Sequence, residues 1–134
     1  MDRTDWLSIL GWTRTEVEDL RSLSYCYIQQ GIYDVALSFL ETLTVLSPNN
    51  LYDLQTLGAI HLQLGDGLKA LDYLDRALKI DPSDLLTQLN RAKTLFMLGY
   101  KRQGLAQASL LEMAPNAMVA SEAKALLLGF GRST

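Results

Sequence analysis

Apolar residues recur along the chain at intervals of three and four residues, which is the spacing that lines one face of an α-helix. Leu54, Leu57 and His61 follow this spacing in the middle of the chain. A second stripe follows shortly afterwards, formed by Ala70, Leu71, Leu74, Ala77 and Leu78. A Gly-Asp-Gly sequence at residues 65–67 separates the two stripes, and glycine readily adopts turn geometry. The pattern therefore predicts two helices joined as a hairpin.

The end and the crossing point of this hairpin also have sequence signals. Asp81 precedes Pro82, and a residue before proline avoids the α-helical region, so the second helix should end there. Proline then suits the first turn of the following helix. Gly58 and Ala70 are small, which predicts that the two helices approach each other closely at these positions.

The same pattern repeats along the chain. Gly31, Gly65 and Gly99 lie 34 residues apart. When residues 17–50 are aligned with residues 51–84, nine positions of similar character coincide. Because a single hairpin cannot bury its own apolar faces, about three such units must stack to form a stable core.

The recurring positions resemble the tetratricopeptide repeat (TPR), which places a large apolar residue, leucine, glycine, tyrosine, alanine, phenylalanine and proline at these offsets. Three repeats are expected, at residues 17–50, 51–84 and 85–115. The third is atypical, because Gln88 and Arg91 stand where the first two repeats have leucine. Either it is a modified terminal repeat, or the register of its first helix is shifted by one residue. The resemblance implies an all-α fold in which three helical hairpins form a short right-handed solenoid, as a single domain over residues 1–134.

A short helix is expected to precede the first repeat. Residues 2–12 carry the apolar side chains of Trp6, Ile9, Leu10 and Trp12. The sequence at residues 13–16, Thr-Arg-Thr-Glu, has the form of a capping box that would open the first repeat helix. The two tryptophans require burial, either on the first repeat or on a second copy of the chain.

A capping helix is expected to follow the third repeat, at residues 116–128. Asn116 is a favourable N-cap residue. The apolar stripe behind it consists of Val119, Ala123, Leu126 and Leu127. TPR arrays commonly end in such a helix, and the tail at residues 129–134 is expected to fray.

Composition and charge narrow the classes of function. The chain has 134 residues, of which 49% are hydrophobic, and a formal net charge of −3 at pH 7. This balance argues against binding to nucleic acid or to anionic membranes, because both need a basic surface. No apolar run approaches the roughly 20 residues that span a bilayer, and no signal peptide is found. The single cysteine, Cys26, cannot form an intramolecular disulfide, so a cytoplasmic protein is expected.

No constellation of catalytic or metal-binding residues stands out. His61, the single histidine, takes the large-residue packing position of the second repeat, which favours a role in the core. Together with Cys26 it supplies too few soft ligands for a metal site. Ser121 and Lys124 match a Ser-x-x-Lys signature whose companion elements are absent. We therefore expect no enzymatic activity, no metal and no cofactor.

The resemblance also implies a partner-binding surface, because the first helices of successive TPR hairpins line a concave groove. The matching positions include Tyr25, Ile28, Tyr52, Gln55, Ala59, Leu62, Leu86, Leu89, Lys93 and Phe96. Most of them are apolar, and exposed apolar area costs roughly 25 cal/mol per Å² unless something covers it. The expected ligand is an apolar segment of another protein, bound as an extended strand or an amphipathic helix. The alternative is that tight curvature lets these side chains cover one another.

One class of TPR ligand is disfavoured. TPR co-chaperones that bind the C-terminal carboxylates of heat-shock proteins use a clamp of lysine, asparagine and arginine. The matching positions here hold Arg21, Tyr25, Thr56, Leu86 and Asn90. Only Arg21 keeps a comparable charge, so a cradle of donors for a carboxylate is missing.

The architecture as a whole resembles the TPR chaperones of bacterial type III secretion, which hold needle-subunit or translocator proteins before export and so serve virulence. The resemblance implies that the groove binds an aggregation-prone apolar segment of such a secreted cargo. It also implies that Trp6, Ile9, Leu10 and Trp12 contact a second copy or a small co-chaperone. The alternative is a TPR scaffold that joins folded proteins in a stable complex.

Overall fold

A computed structural model describes residues 6–131, and every regular element within that range is an α-helix. The helices are α1 (Trp6–Leu10), α2 (Arg14–Gln29), α3 (Tyr33–Leu46), α4 (Leu51–Gln63), α5 (Gly67–Ile80), α6 (Leu85–Met97), α7 (Lys101–Leu111) and α8 (Ala117–Phe130). The predicted all-α fold is confirmed for this part of the chain. The beginning of the predicted N-terminal helix, residues 2–5, lies outside the described residues. The chain divides into two compact units, the first ending at Asp53 and the second beginning at Leu54.

The first unit is built on a hairpin of α2 and α3, with α1 lying against α3. Its buried apolar side chains are Val17, Ala36, Leu40, Leu43 and Leu46. Ser24 takes the small position of α2 and is buried, and its hydroxyl donates to the Leu20 carbonyl at 2.9 Å. The hydroxyl is therefore satisfied inside its own helix, so Ser24 can face the apolar core.

The first helix of each hairpin ends at one glycine, and the three glycine turns have the same geometry. Gly31, Gly65 and Gly99 have φ values of 76°, 82° and 84°, a left-handed conformation that glycine adopts easily because it lacks a Cβ. After each glycine, the next amide donates to the carbonyl five residues earlier at 2.9 Å. These are the bonds from Ile32 to Tyr27, Asp66 to His61 and Tyr100 to Leu95. The 34-residue period in the sequence is thus the period of a Schellman turn.

The second unit contains two hairpins and a final helix. The predicted close crossing of α4 and α5 is confirmed, because a Cβ on Gly58 would lie 2.6 Å from Leu74 Cδ2. Helices α6 and α7 form the next hairpin, and α8 packs against both of them. The largest fully buried side chains of this unit are Leu54, Leu57, Leu74, Leu89, Leu111, Val119 and Thr94.

The third hairpin replaces apolar contacts with hydrogen bonds at its two atypical positions. Arg91 Nε donates to Asp75 Oδ1 at 2.6 Å, and its Nη1 donates to Gln107 Oε1 at 2.9 Å. Arg91 on α6 therefore binds both α5 and α7. Gln88 Nε2 donates to the Pro82 carbonyl at 2.6 Å. The departures from the leucine pattern are compensated, because each polar side chain finds a partner on a neighbouring segment.

Two of the predicted helix ends need correction. Asn116 caps α8 as predicted, since its Oδ1 accepts a hydrogen bond from the Val119 amide at 3.0 Å. However, α8 continues through Phe130, two residues beyond the predicted end at residue 128. Thr13 stands at the N-cap of α2, but its hydroxyl donates to the Glu16 carboxylate at 3.3 Å instead of accepting a backbone amide. The predicted capping box is therefore not formed.

We predict that Gly58→Val destabilises the protein by about 1–3 kcal/mol, because the fully buried Leu74 has little room to move away from a branched side chain. Gly129→Ala is the matched control in a helix, where no heavy atom lies within 4 Å of an added Cβ. It should stabilise the protein by about 0.5–1 kcal/mol. Urea unfolding followed by circular dichroism measures both changes. Wild-type stability in Gly58→Val would contradict the close crossing.

Candidate functional site

Two tyrosines of the first unit meet at its surface. Tyr25 on α2 and Tyr52 at the start of α4 have ring centroids 6.2 Å apart, with the ring planes tilted by 52°. Such tilted pairs attract each other. The residues nevertheless remain 46% and 43% exposed, and Ile28, in the next turn of α2, is half-buried. An exposed aromatic pair is the kind of surface that partner proteins cover.

A buried ion pair joins the two helices that carry these tyrosines. Arg21 Nε and Nη2 each donate to one carboxylate oxygen of Asp53 at 2.7 Å. The Asp53 side chain is fully buried and the Arg21 side chain is 11% exposed. Glu18 accepts a third hydrogen bond, from Arg21 Nη1, at 2.6 Å. This bidentate geometry holds the start of α4 in one position on α2.

The pKa of Arg21 lies above its ordinary value, because Asp53 accepts hydrogen bonds from the charged guanidinium and this outweighs the opposing effect of burial. The folded-state pKa therefore exceeds the unfolded-state pKa. The resulting stabilisation is fully present below the unfolded value and is lost only as the pH rises through the folded value. Moderately alkaline solutions therefore leave Arg21 charged and paired. Arg21, the one residue whose charge matches a carboxylate clamp, is therefore already bound to Asp53.

Sequence alone does not single out Asp53, yet its spacing from Arg21 recurs. In the second unit Gln55 Nε2 donates to Thr87 Oγ1 at 3.0 Å. Asp84 in turn accepts hydrogen bonds from the Thr87 amide and hydroxyl. Both pairs, Arg21 with Asp53 and Gln55 with Thr87, are separated by 32 residues. A search for complementary polar residues at that offset, close to the repeat period, would have found them.

The predicted contact residues of the second unit differ widely in exposure. Ala59 and Leu62 on α4 are half-buried, and Leu86 on α6 is 50% exposed. Leu89 is fully buried, so the prediction that it lines an open surface is wrong for the free chain. Its neighbours in the core cluster are Leu111, Val119 and Ala123. The capping helix α8 therefore covers the part of α6 that the prediction assigned to a partner.

The same helix covers two further predicted contact residues. Lys93 Nζ donates to Glu122 Oε1 on α8 at 2.8 Å. Phe96 is only 8% exposed, because its ring stacks on Phe130 with centroids 4.2 Å apart and planes 10° from parallel. The prediction that Phe96 lines an open surface is therefore also wrong for the free chain. Phe130 has no place in the predicted site, since the sequence pattern assigns it to a fraying tail.

The N-terminal candidates are exposed where they can be described. Ile9 is 62% and Leu10 is 52% exposed, and Trp12 is half-buried. The side chain of Trp6 lies outside the described residues. Since α1 lies against α3, its outward residues form a small apolar surface on the first unit.

A surface pocket of about 500 Å³ opens on the first unit beside the ion pair. It is lined by Arg14, Val17, Glu18, Arg21, Ser47 and Asn50. A ligand there would meet both signs of charge, so the pocket selects neither an anion nor a cation. We therefore place the candidate site on the tyrosine pair.

The predicted core role of His61 is confirmed. The residue is 4% exposed and its ring stacks on Tyr73, with centroids 5.6 Å apart. Within residues 6–131, no three His, Cys, Asp or Glu side chains lie together as a metal site would require. In the same range, no helix has the length and apolar character needed to cross a membrane.

Comparison with protein families and curated sequences gives two matches. The family profile described as tetratricopeptide repeat matches residues 23–127. Anaphase-promoting complex subunit 3 of Schizosaccharomyces pombe is 30% identical over 95 residues. That alignment covers 70% of this chain, and the chain spans only 14% of the length of this curated relative.

Two solved structures share the fold over most of their length. The Yersinia enterocolitica type III secretion chaperone SycD, in complex with a peptide of the translocator YopD, has a TM-score of 0.80 at 18% identity. That match covers 89% of this chain and 95% of SycD. PcrH of Pseudomonas aeruginosa, in complex with the chaperone-binding region of PopD, has a TM-score of 0.77 at 22% identity. It covers 90% of this chain and 95% of PcrH. At these identities the likeness shows the fold.

We predict that Arg21→Met destabilises the protein by about 3 kcal/mol, because it leaves the Asp53 carboxylate buried without its partner. The double variant Arg21→Met/Asp53→Leu removes both charges and should recover most of the loss. Urea unfolding at pH 7 measures these differences.

Arg76→Met is the control for an exposed arginine, which contacts Asp72 at 3.7 Å and the Tyr73 ring at 5.2 Å. It should change the free energy of unfolding by less than about 1 kcal/mol. If Arg21→Met and Arg76→Met had equal effects, the buried pair would not be holding Asp53 and the start of α4 on α2.

Proposed function

Because the chain belongs to the tetratricopeptide repeat family, we propose that it is a non-catalytic chaperone that binds an apolar segment of a type III secretion export substrate. The observation that carries the proposal is the exposed pair of Tyr25 and Tyr52. The buried ion pair of Arg21 and Asp53 holds the helices of both rings in the free chain. A surface whose side chains are already held in place loses less conformational freedom on binding than a flexible surface does.

The chemistry of the pair suits an apolar peptide. The two rings offer a broad apolar contact to an extended or helical segment at a low cost in side-chain entropy. We propose Ala59, Leu62 and Leu86 as further contacts, made by the second unit. Covering the aggregation-prone segment would prevent premature self-assembly of the cargo. Ordering of that segment on binding reduces the net affinity, which suits a chaperone that must release its cargo at export.

The structural relatives support a secreted cargo. SycD is solved with a peptide of the translocator YopD and PcrH with the chaperone-binding region of PopD, and each match covers about nine tenths of this chain. We propose a translocator-type or needle-type protein as the cargo. The exposed Ile9 and Leu10, together with Trp6 and Trp12, are the proposed contact for a second copy or a small co-chaperone.

A scaffold function is the second candidate, and the match to anaphase-promoting complex subunit 3 favours it, since that relative is named as a subunit of an assembly. A scaffold would hold folded partners and would not depend on the open tyrosine pair. The two functions therefore differ in what binds and in which residues are needed.

We predict that the double variant Tyr25→Ala/Tyr52→Ala stays folded by circular dichroism but binds its cargo at least tenfold more weakly, since buried aromatic anchors dominate such interfaces. Tagged protein is purified from the native host, and the co-eluting proteins are identified. Tyr100→Ala is the matched control, because Tyr100 is 45% exposed and precedes α7. A small secreted protein should co-elute with wild type and with Tyr100→Ala only. Co-elution of the same folded partners with all three forms would instead support the scaffold.

A further inference from the structure

Phe96 on α6 contacts two other helices of the second unit. Gly104 on α7 has no side chain, and a Cβ there would lie 2.8 Å from Phe96 Cε1. The Phe96 ring therefore rests directly against the backbone of α7. Phe130, at the end of α8, stacks on the same ring with centroids 4.2 Å apart and planes 10° from parallel. A flat apolar surface is thus built on Phe96 and covered by a second ring.

The two rings are held very differently. Phe96 is 8% exposed, whereas Phe130 is 44% exposed and the neighbouring Leu128 is 63% exposed. Gly129 lies in the same last turn of α8, and glycine lowers the stability of a helix. Helix ends with few buried contacts open at a small cost in free energy. Phe130 is therefore the ring of this stack that can move away, while Phe96 stays in the core.

The position of the stack links it to partner binding. Phe96 lies on the face of α6 that the repeat pattern assigns to a ligand, and Leu86 on the same helix is 50% exposed. Next to Phe96 in sequence, Met97 is 47% exposed. The seated Phe130 ring shows that an aromatic side chain fits on Phe96.

We propose that the Phe96 ring, backed by Gly104, is an aromatic-binding slot that Phe130 fills in the free chain and that an aromatic side chain of the cargo fills in the complex. The identity of the occupant in the complex rests on the proposed function. Phe130 then acts as an internal competitor. Only chains in which Phe130 has left the slot can bind cargo there, so the apparent affinity is the affinity of the open slot multiplied by the fraction of open chains. It also keeps an apolar surface covered when no cargo is present.

The slot itself is tested without any cargo, by titration with 8-anilino-1-naphthalenesulfonate. Phe130→Ala should bind the dye at least threefold more strongly than wild type, and Leu128→Ala, in the same helical turn, should match wild type. The double variant Phe96→Leu/Phe130→Ala should lose the gain, because the dye then lacks the ring on which it stacks. Absence of a gain in Phe130→Ala, or its persistence in the double variant, overturns the slot.

Urea unfolding establishes that each variant is folded. If Phe130→Ala unfolds, Phe130→Leu replaces it, since leucine keeps an apolar contact but cannot stack. Its dye binding should lie above that of wild type, and equality with wild type would overturn the slot.

Competition by Phe130 is tested with the protein that co-elutes from the native host. Isothermal titration should show that Phe130→Ala binds it about threefold to tenfold more tightly than wild type does, which is the factor that one aromatic stack provides. Leu128→Ala should bind it as wild type does. Equal or weaker binding by Phe130→Ala overturns the proposal. If no such protein co-elutes, the proposed function fails, and the dye titration still decides whether the slot exists.

Discussion

Each helical hairpin of this chain has more apolar surface than it can bury alone, and the structure depends on the contacts that join one first helix to the next. Three such contacts differ in chemistry. Arg21 and Asp53 form a buried ion pair in the first unit. In the second unit, Gln55 donates a neutral hydrogen bond to Thr87, and Leu89 packs with Val119 in an apolar cluster. Ionic, polar and apolar partners do not substitute for one another, so each contact favours its own pairing.

These internal contacts decide which residues remain for a partner. Gln55 and Leu89 hold positions that the repeat pattern predicts for a ligand groove, but here they join helices within the chain. Tyr25, Tyr52 and Leu86 keep about half of their surface exposed. The candidate site is therefore smaller than the repeat pattern implies, and its aromatic part is held by a charged pair that is itself withdrawn from solvent.

The fold alone does not specify a function, since this chain shares its fold with a type III secretion chaperone and part of its sequence with a subunit of the anaphase-promoting complex. The exposed side chains of this chain favour a chaperone. An open aromatic pair on a preorganised frame favours capture of an apolar segment. The stack of Phe130 on Phe96 adds a surface that the chain itself covers when it is free.

Sequence determined the features that depend on near neighbours in the chain. The helical periodicity, the glycine turns at Gly31, Gly65 and Gly99, and the cap at Asn116 follow from local geometry, and the repeat family follows from their spacing. Tertiary structure decided which distant side chains meet. The pairing of Arg21 with Asp53 and the cover that α8 places on Leu89 and Phe96 join residues about 30 positions apart. A repeat pattern specifies that such helices pack, but the particular side chain that fills each contact is selected by volume, charge and hydrogen bonding in the folded core.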